Sequence, residues 1–113
     1  MSRFATPLVL AALLAAGLGT SGAARAASGQ VTVEIDHFAF TQAEITVEPG
    51  TIVEWVNRDQ TIHNIIVPAA KVSSPGMDTG DHFTLRFDTA GDFPYLCGLH
   101  PHMTGVVHVK ARG

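Results

Sequence analysis

Residues 47–57 read VEPGTIVEWVN, and the class of fold turns on how this stretch is parsed. Pro49-Gly50 is a strong turn signal. It separates a run begun by Ile45 and Val47 from Thr51 to Asn57, a segment rich in β-branched residues in which Val53 and Trp55 share one face. Working outward, Val31, Val33 and Ile35 alternate with Thr32, Glu34 and Asp36, which predicts a strand with one buried face, and Phe38 and Phe40 extend that face across a bend. Arg58-Asp59-Gln60 turns the chain, and His63 to Val67 reads as a short strand ended by Pro68. The small residues between Pro68 and Gly80 read as a surface loop. Phe83, Leu85 and Phe87 alternate with His82, Thr84 and Arg86; Phe93 to Cys97 and Val106 to Lys110 complete the set. Seven or so short strands at a spacing of roughly eight to twelve residues imply an all-β sandwich or barrel. Pro94, inside one of these runs, places its strand at an edge or makes it irregular there.

The N-terminus lies outside this pattern. Arg3 precedes an almost wholly apolar run from Pro7 to Leu18, and Ala24-Arg25-Ala26 offers the small-x-small pattern of a signal-peptidase site. The reading is a signal peptide over residues 1–26, cleaved before Ala27, and an exported, periplasmic domain over 27–113. An uncleaved anchor fits less well, because a membrane span needs about 20 apolar residues. Loss of Arg3 and Arg25 moves the formal charge of −3 to −5 for the remaining 87 residues. An acidic domain lacks the basic stripe of a nucleic-acid binder and suits a basic protein partner. A chain this short is near the lower limit for a self-sufficient core, so a bound metal would help hold it. The single cysteine rules out an internal disulfide, and a lone thiol outside the cytoplasm calls for burial or ligation.

That thiol sits in PYLCGLHPHMTG, residues 94–105, with His100, His102 and Met103 close behind it. Thiolate, imidazole and thioether form the soft and borderline set that suits copper or zinc. The C-x2-H-x2-M spacing can bring three ligands around one ion because the loop returns on itself, and a further histidine must come from elsewhere. His82 and His108 fall on the polar faces of their strands, and nothing recommends His37. His63 stands in the apolar run Ile62 to Val67, and in combination with the thiol it is the candidate for the distant ligand. No GxSxG, HExxH or phosphate-binding glycine loop follows a strand.

With VEPGTIVEWVN, His63-Asn64 and YLCGLHPHMTGVVHV in place, the chain resembles the cupredoxins, the small type 1 blue copper proteins. Within them it is most similar to the amicyanin group and more loosely to pseudoazurin and plastocyanin. The resemblance covers residues 30 to 110. Plastocyanin-like relatives have a longer gap before the methionine, and that position here holds Gly105. The resemblance implies a Greek-key β-sandwich of about seven to eight strands and one copper ion held by His63, Cys97, His100 and Met103. It also implies a monomer that shuttles single electrons, with partners such as a dehydrogenase and a c-type cytochrome, and no enzymatic activity. Asn64 would tie its strand to the cysteine loop. His100 would reach the surface among Leu99, Pro101, Pro68, Ala69 and Ala70, and would leave Cu(I) in mild acid. His102 replaces the usual phenylalanine and is read as a tuner of the site, since reaching the same ion as His100 would require the loop to reverse.

Three rivals remain. A copper oxidase or nitrite reductase places histidines beside the cysteine, whereas Cys97 is flanked by Leu96 and Gly98. A copper-delivery protein would carry Met- or His-rich clusters, and beyond the signal only Met77 and Met103 occur. Structural zinc is disfavoured because a thioether is a poor zinc ligand.

Overall fold

The structure, a computed structural model, describes residues 29–112. The signal-peptide reading of residues 1–26 therefore lies outside the described residues. Nine strands occur among those described: β1 Gln30–Asp36, β2 Ala39–Phe40, β3 Glu44–Val47, β4 Thr51–Asn57, β5 Ile66–Val67, β6 Val72–Ser73, β7 His82–Phe87, β8 Gly91–Leu96 and β9 Thr104–Val109. They form a four-stranded sheet in the order β2-β1-β4-β7 and a five-stranded sheet in the order β3-β9-β8-β5-β6. This is the expected all-β sandwich, and two two-residue strands, β2 and β6, add to the seven legible in the sequence.

The Pro49-Gly50 turn proves to be a crossing between sheets. β3 lies parallel to β9 in one sheet, while β4 lies parallel to β1 and antiparallel to β7 in the other. Gly50 has φ +94° and donates its N–H to the Phe87 carbonyl at 2.7 Å, which fastens the crossing to the end of β7. The period-2 reading of β4 holds: Thr51, Val53, Trp55 and Asn57 are fully buried. Val53 and Trp55 join one core cluster with Val33 and Ile35 of β1 and, from the other sheet, Val47, Tyr95, Val107 and Val109. Burying side chains of this size stabilises by about 1.5–3 kcal/mol each. Trp55 and Tyr95 meet edge to face across the sandwich, with ring centroids 5.1 Å apart. Gly105 makes room for Tyr95, because a Cβ there would collide with the tyrosine ring and hydroxyl.

Three expectations need correction. The strand expected over His63 to Val67 is confined to Ile66–Val67; His63 instead makes an isolated bridge to Met77. The reason lies in the second segment, since Pro68 to Gly80 is more than a surface loop. It contains a 3-10 turn at Pro68–Ala70, the strand β6, and the buried side chains of Ser74 and Met77. Ser74 Oγ accepts the Ile65 N–H at 2.8 Å, taking a backbone group that a longer strand would have paired. Phe38, expected on the buried face beside Phe40, sits at a hairpin tip and is 43% exposed.

Pro94 illustrates how an interior strand can still have a free side. β8 lies between β9 and β5, but β5 reaches it only at Leu96. Opposite Pro94, Val106 turns its N–H away to Ala43, at 2.7 Å. Proline's missing donor therefore faces a stretch without a paired strand.

Candidate metal centre

The site forms where β8 ends and the chain loops back into β9. Cys97 N–H bonds to the Met103 carbonyl (3.1 Å), His100 N–H to the Cys97 carbonyl (3.3 Å) and Met103 N–H to the His100 carbonyl (2.9 Å). These three bonds close the short C-x2-H-x2-M loop on itself. They place Cys97 and Met103 in the buried interior and leave His100 half-buried at the rim. His63 enters from the facing segment, which is pinned by backbone bonds in both directions to Met77.

Ligand-bearing atoms of His63, Cys97 and His100 all lie within 4.8 Å of one another. Cys97 Sγ is 3.6 Å from His63 Nδ1 and 3.8 Å from His100 Nδ1. Bonds of about 2.0–2.1 Å to imidazole and 2.3 Å to thiolate, as zinc makes them, put N and S roughly 3.7 Å apart when they meet at trigonal angles. Both sulfur-to-nitrogen separations match that spacing, so the three side chains suit a single ion. Met103 is buried and joined to the same loop, as its place in the motif requires.

Which nitrogen of His63 faces the sulfur is settled from behind. Its Nε2 lies 2.9 Å from Asp59 Oδ2, with the imidazole fully buried. Burial pushes the Asp59 carboxyl up, but bonds from the Phe38 N–H, His63 and the His37 N–H outweigh it and hold the group below the usual carboxylate range. An ionised carboxylate only accepts, so Nε2 carries the proton and Nδ1 presents its lone pair to the site. Sequence reasoning missed Asp59, which reads as one residue of a polar turn. The available signal was its position four residues before a candidate ligand.

Asn64 links the two halves. Its side-chain oxygen accepts the Gly98 N–H at 2.8 Å, and its own backbone N–H points at Cys97 Sγ, 3.4 Å away. Gly98 permits this approach, because a Cβ there would stand 2.6 Å from Ile66 and 3.1 Å from the Asn64 oxygen. Phe38 was also missed: its ring lies edge-on to both His63 and His100, at 5.2 and 5.1 Å between centroids. His102 is exposed, its ring 6.3 Å from that of His100. His37, His82 and His108 lie outside the cluster, each beside a carboxylate.

Comparison with known proteins agrees with this geometry. Residues 27–110 match the family described as copper binding proteins, plastocyanin/azurin family. The chain is 32% identical over 93 residues to the amicyanin of Paracoccus denitrificans, covering 78% of this chain and 71% of that one. It is 27% identical to amicyanin-alpha of Methylorubrum extorquens, over 97% of this chain and all of that one. The chloroplastic plastocyanin of Tetradesmus obliquus is 29% identical, over 80% of this chain and 70% of its own. A solved Cu(I) form of an amicyanin variant superposes with a TM-score of 0.69 at 31% identity, covering 74% of this chain and 85% of that one.

Proposed function

The chain belongs to the plastocyanin/azurin family of copper-binding proteins, and from that membership we propose that it is an exported carrier of single electrons whose copper is held by His63, Cys97, His100 and Met103. The observation that carries the reading is the convergence of two imidazole Nδ1 atoms on one buried thiol at 3.6 and 3.8 Å. Copper held there supplies a one-electron couple. The protein supplies a preset cage, in which Asp59 fixes the tautomer of His63 and Asn64 holds the cysteine loop against the histidine segment. Two imidazoles, a thiolate and a thioether from these residues would offer copper a ligand set that compromises between the preferences of its two oxidation states, so little would have to move on electron transfer. With all four positions taken by side chains, none is left for a substrate, which supports a carrier over an enzyme.

His100 is the half-buried ligand and the expected point of electron exit. The exposed large apolar side chains among the described residues are Phe38, Ile62 and Leu99. Ile62 and Leu99 each precede a ligand histidine, and Phe38 packs on both rings. Such a patch suits brief docking of a redox protein, with the acidic charge of the domain steering a basic partner. Redox partners such as a dehydrogenase and a c-type cytochrome, met by a monomer in the periplasm, complete the proposal.

Loading with Cu(II) tests it. Thiolate-to-copper charge transfer should give an intense blue colour that Cys97→Ser abolishes. A colourless, rapidly exchanging complex would point to copper delivery instead.

A further inference from the structure

The tip of the β1–β2 hairpin is built against its own backbone preferences. Asp36 pairs with Ala39, so His37 and Phe38 form a two-residue loop, and both have positive φ, 54° and 56°. That is the pattern of a type I′ turn, whose second central position is normally glycine. Phenylalanine in the left-handed region is an outlier, and a strained residue of this kind persists only where its surroundings over-determine it. Asp59 does so here: Oδ1 accepts the His37 N–H at 2.8 Å and Oδ2 the Phe38 N–H at 2.9 Å. The same Oδ2 holds His63 Nε2. One carboxylate therefore fixes both the hairpin tip and the ring of a copper ligand.

The backbone cost makes sense only through the side chain that glycine lacks. The Phe38 ring stands perpendicular to both ligand imidazoles, with interplanar angles of 83° and 90°, the edge-to-face arrangement that aromatic pairs favour. We propose that Phe38 is a positioning residue for the copper site: it braces His63 and His100 in their ligating orientation and restricts the approach of water, from a hairpin that contributes no ligand. This inference rests on the ligand assignment proposed above.

The strain gives the test an unusual sign. Phe38→Gly relieves the turn, so the copper-free protein should unfold at the same or a higher denaturant midpoint than the wild type. At the same time Cu(I) should pass to a chelator about five- to tenfold faster, the scale expected for removing two edge-to-face contacts, and the reduction potential should fall as water reaches the metal. Phe38→Tyr, which keeps the ring, should restore both copper readouts. Unchanged release in Phe38→Gly, or faster release in step with a lower copper-free midpoint, would overturn the bracing role. Failure of the wild type to develop the blue charge-transfer band would instead remove the ligand assignment on which the inference rests.

Discussion

His63 and His108 are both held by carboxylates, yet the structure gives them opposite tasks. His63 spends only Nε2 on Asp59 and keeps Nδ1 facing a thiol in the buried end of the sandwich. His108, on the outer face of the five-stranded sheet, spends both nitrogens: Nδ1 lies 2.6 Å from Asp92 of β8 and Nε2 lies 2.9 Å from Glu44 of β3. A histidine can ligate a metal only with a nitrogen left over, so His108 serves as a tie across three strands, while His63 keeps the nitrogen that the proposed copper site needs. The nature of the neighbours, more than burial alone, separates the two.

Breaking the His63 side of this contrast should have the largest effect. Asp59→Ala removes the acceptor for three donors and should cost about 2–3 kcal/mol in denaturant unfolding of the copper-free protein, and should weaken copper retention through loss of the fixed tautomer. The Asp59 contribution is present above the ordinary aspartate range and is lost as pH falls through its depressed folded value. The acid limb of the wild-type stability curve should therefore flatten in the variant.

Tyr95 sharpens the comparison from the core. Burial pushes its phenol up to about 12, partly offset by the neighbouring Trp55, and neither the Tyr95 hydroxyl nor Trp55 Nε1 reaches a full hydrogen bond. A raised folded value means stability is intact below pH ~10 and falls as pH rises towards 12, by on the order of 2–3 kcal/mol. Tyr95→Phe should abolish most of that alkaline loss and leave neutral-pH stability equal or slightly higher, as measured by denaturant midpoints across the range.

The smallest effect belongs to His108. Its hydrogen bonds to Asp92 and then Glu44 raise it above the ordinary histidine value. Its stabilising contribution is therefore complete below pH ~6.5 and fades as pH rises through the folded value. His108→Gln should remove this slope in thermal midpoints while leaving the blue band untouched. A changed band would break the distinction between tie and ligand.

How far the sequence revealed all this follows from range. Strand alternation is local, so β1, β4, β7 and β9 were legible, as was the short loop carrying Cys97, His100 and Met103. His63 stood out because an imidazole in an apolar run needs an explanation. Asp59 and Phe38 did not, because their roles come from a hairpin tip and a turn brought together across 21 residues of chain. Likewise Met77 looked like loop until its backbone was seen paired with His63. The turn at Pro49-Gly50 was plain, but no local pattern says that it leads into the other sheet.

X-ray absorption at the copper edge, recorded on the loaded protein in both oxidation states, bears most directly on the central claim. At neutral pH, one short sulfur and two imidazole nitrogens in Cu(II) and in Cu(I), with little change between them, is the predicted result. A shell without sulfur, or one that rebuilds on reduction, would contradict a preset electron-transfer site at His63, Cys97 and His100.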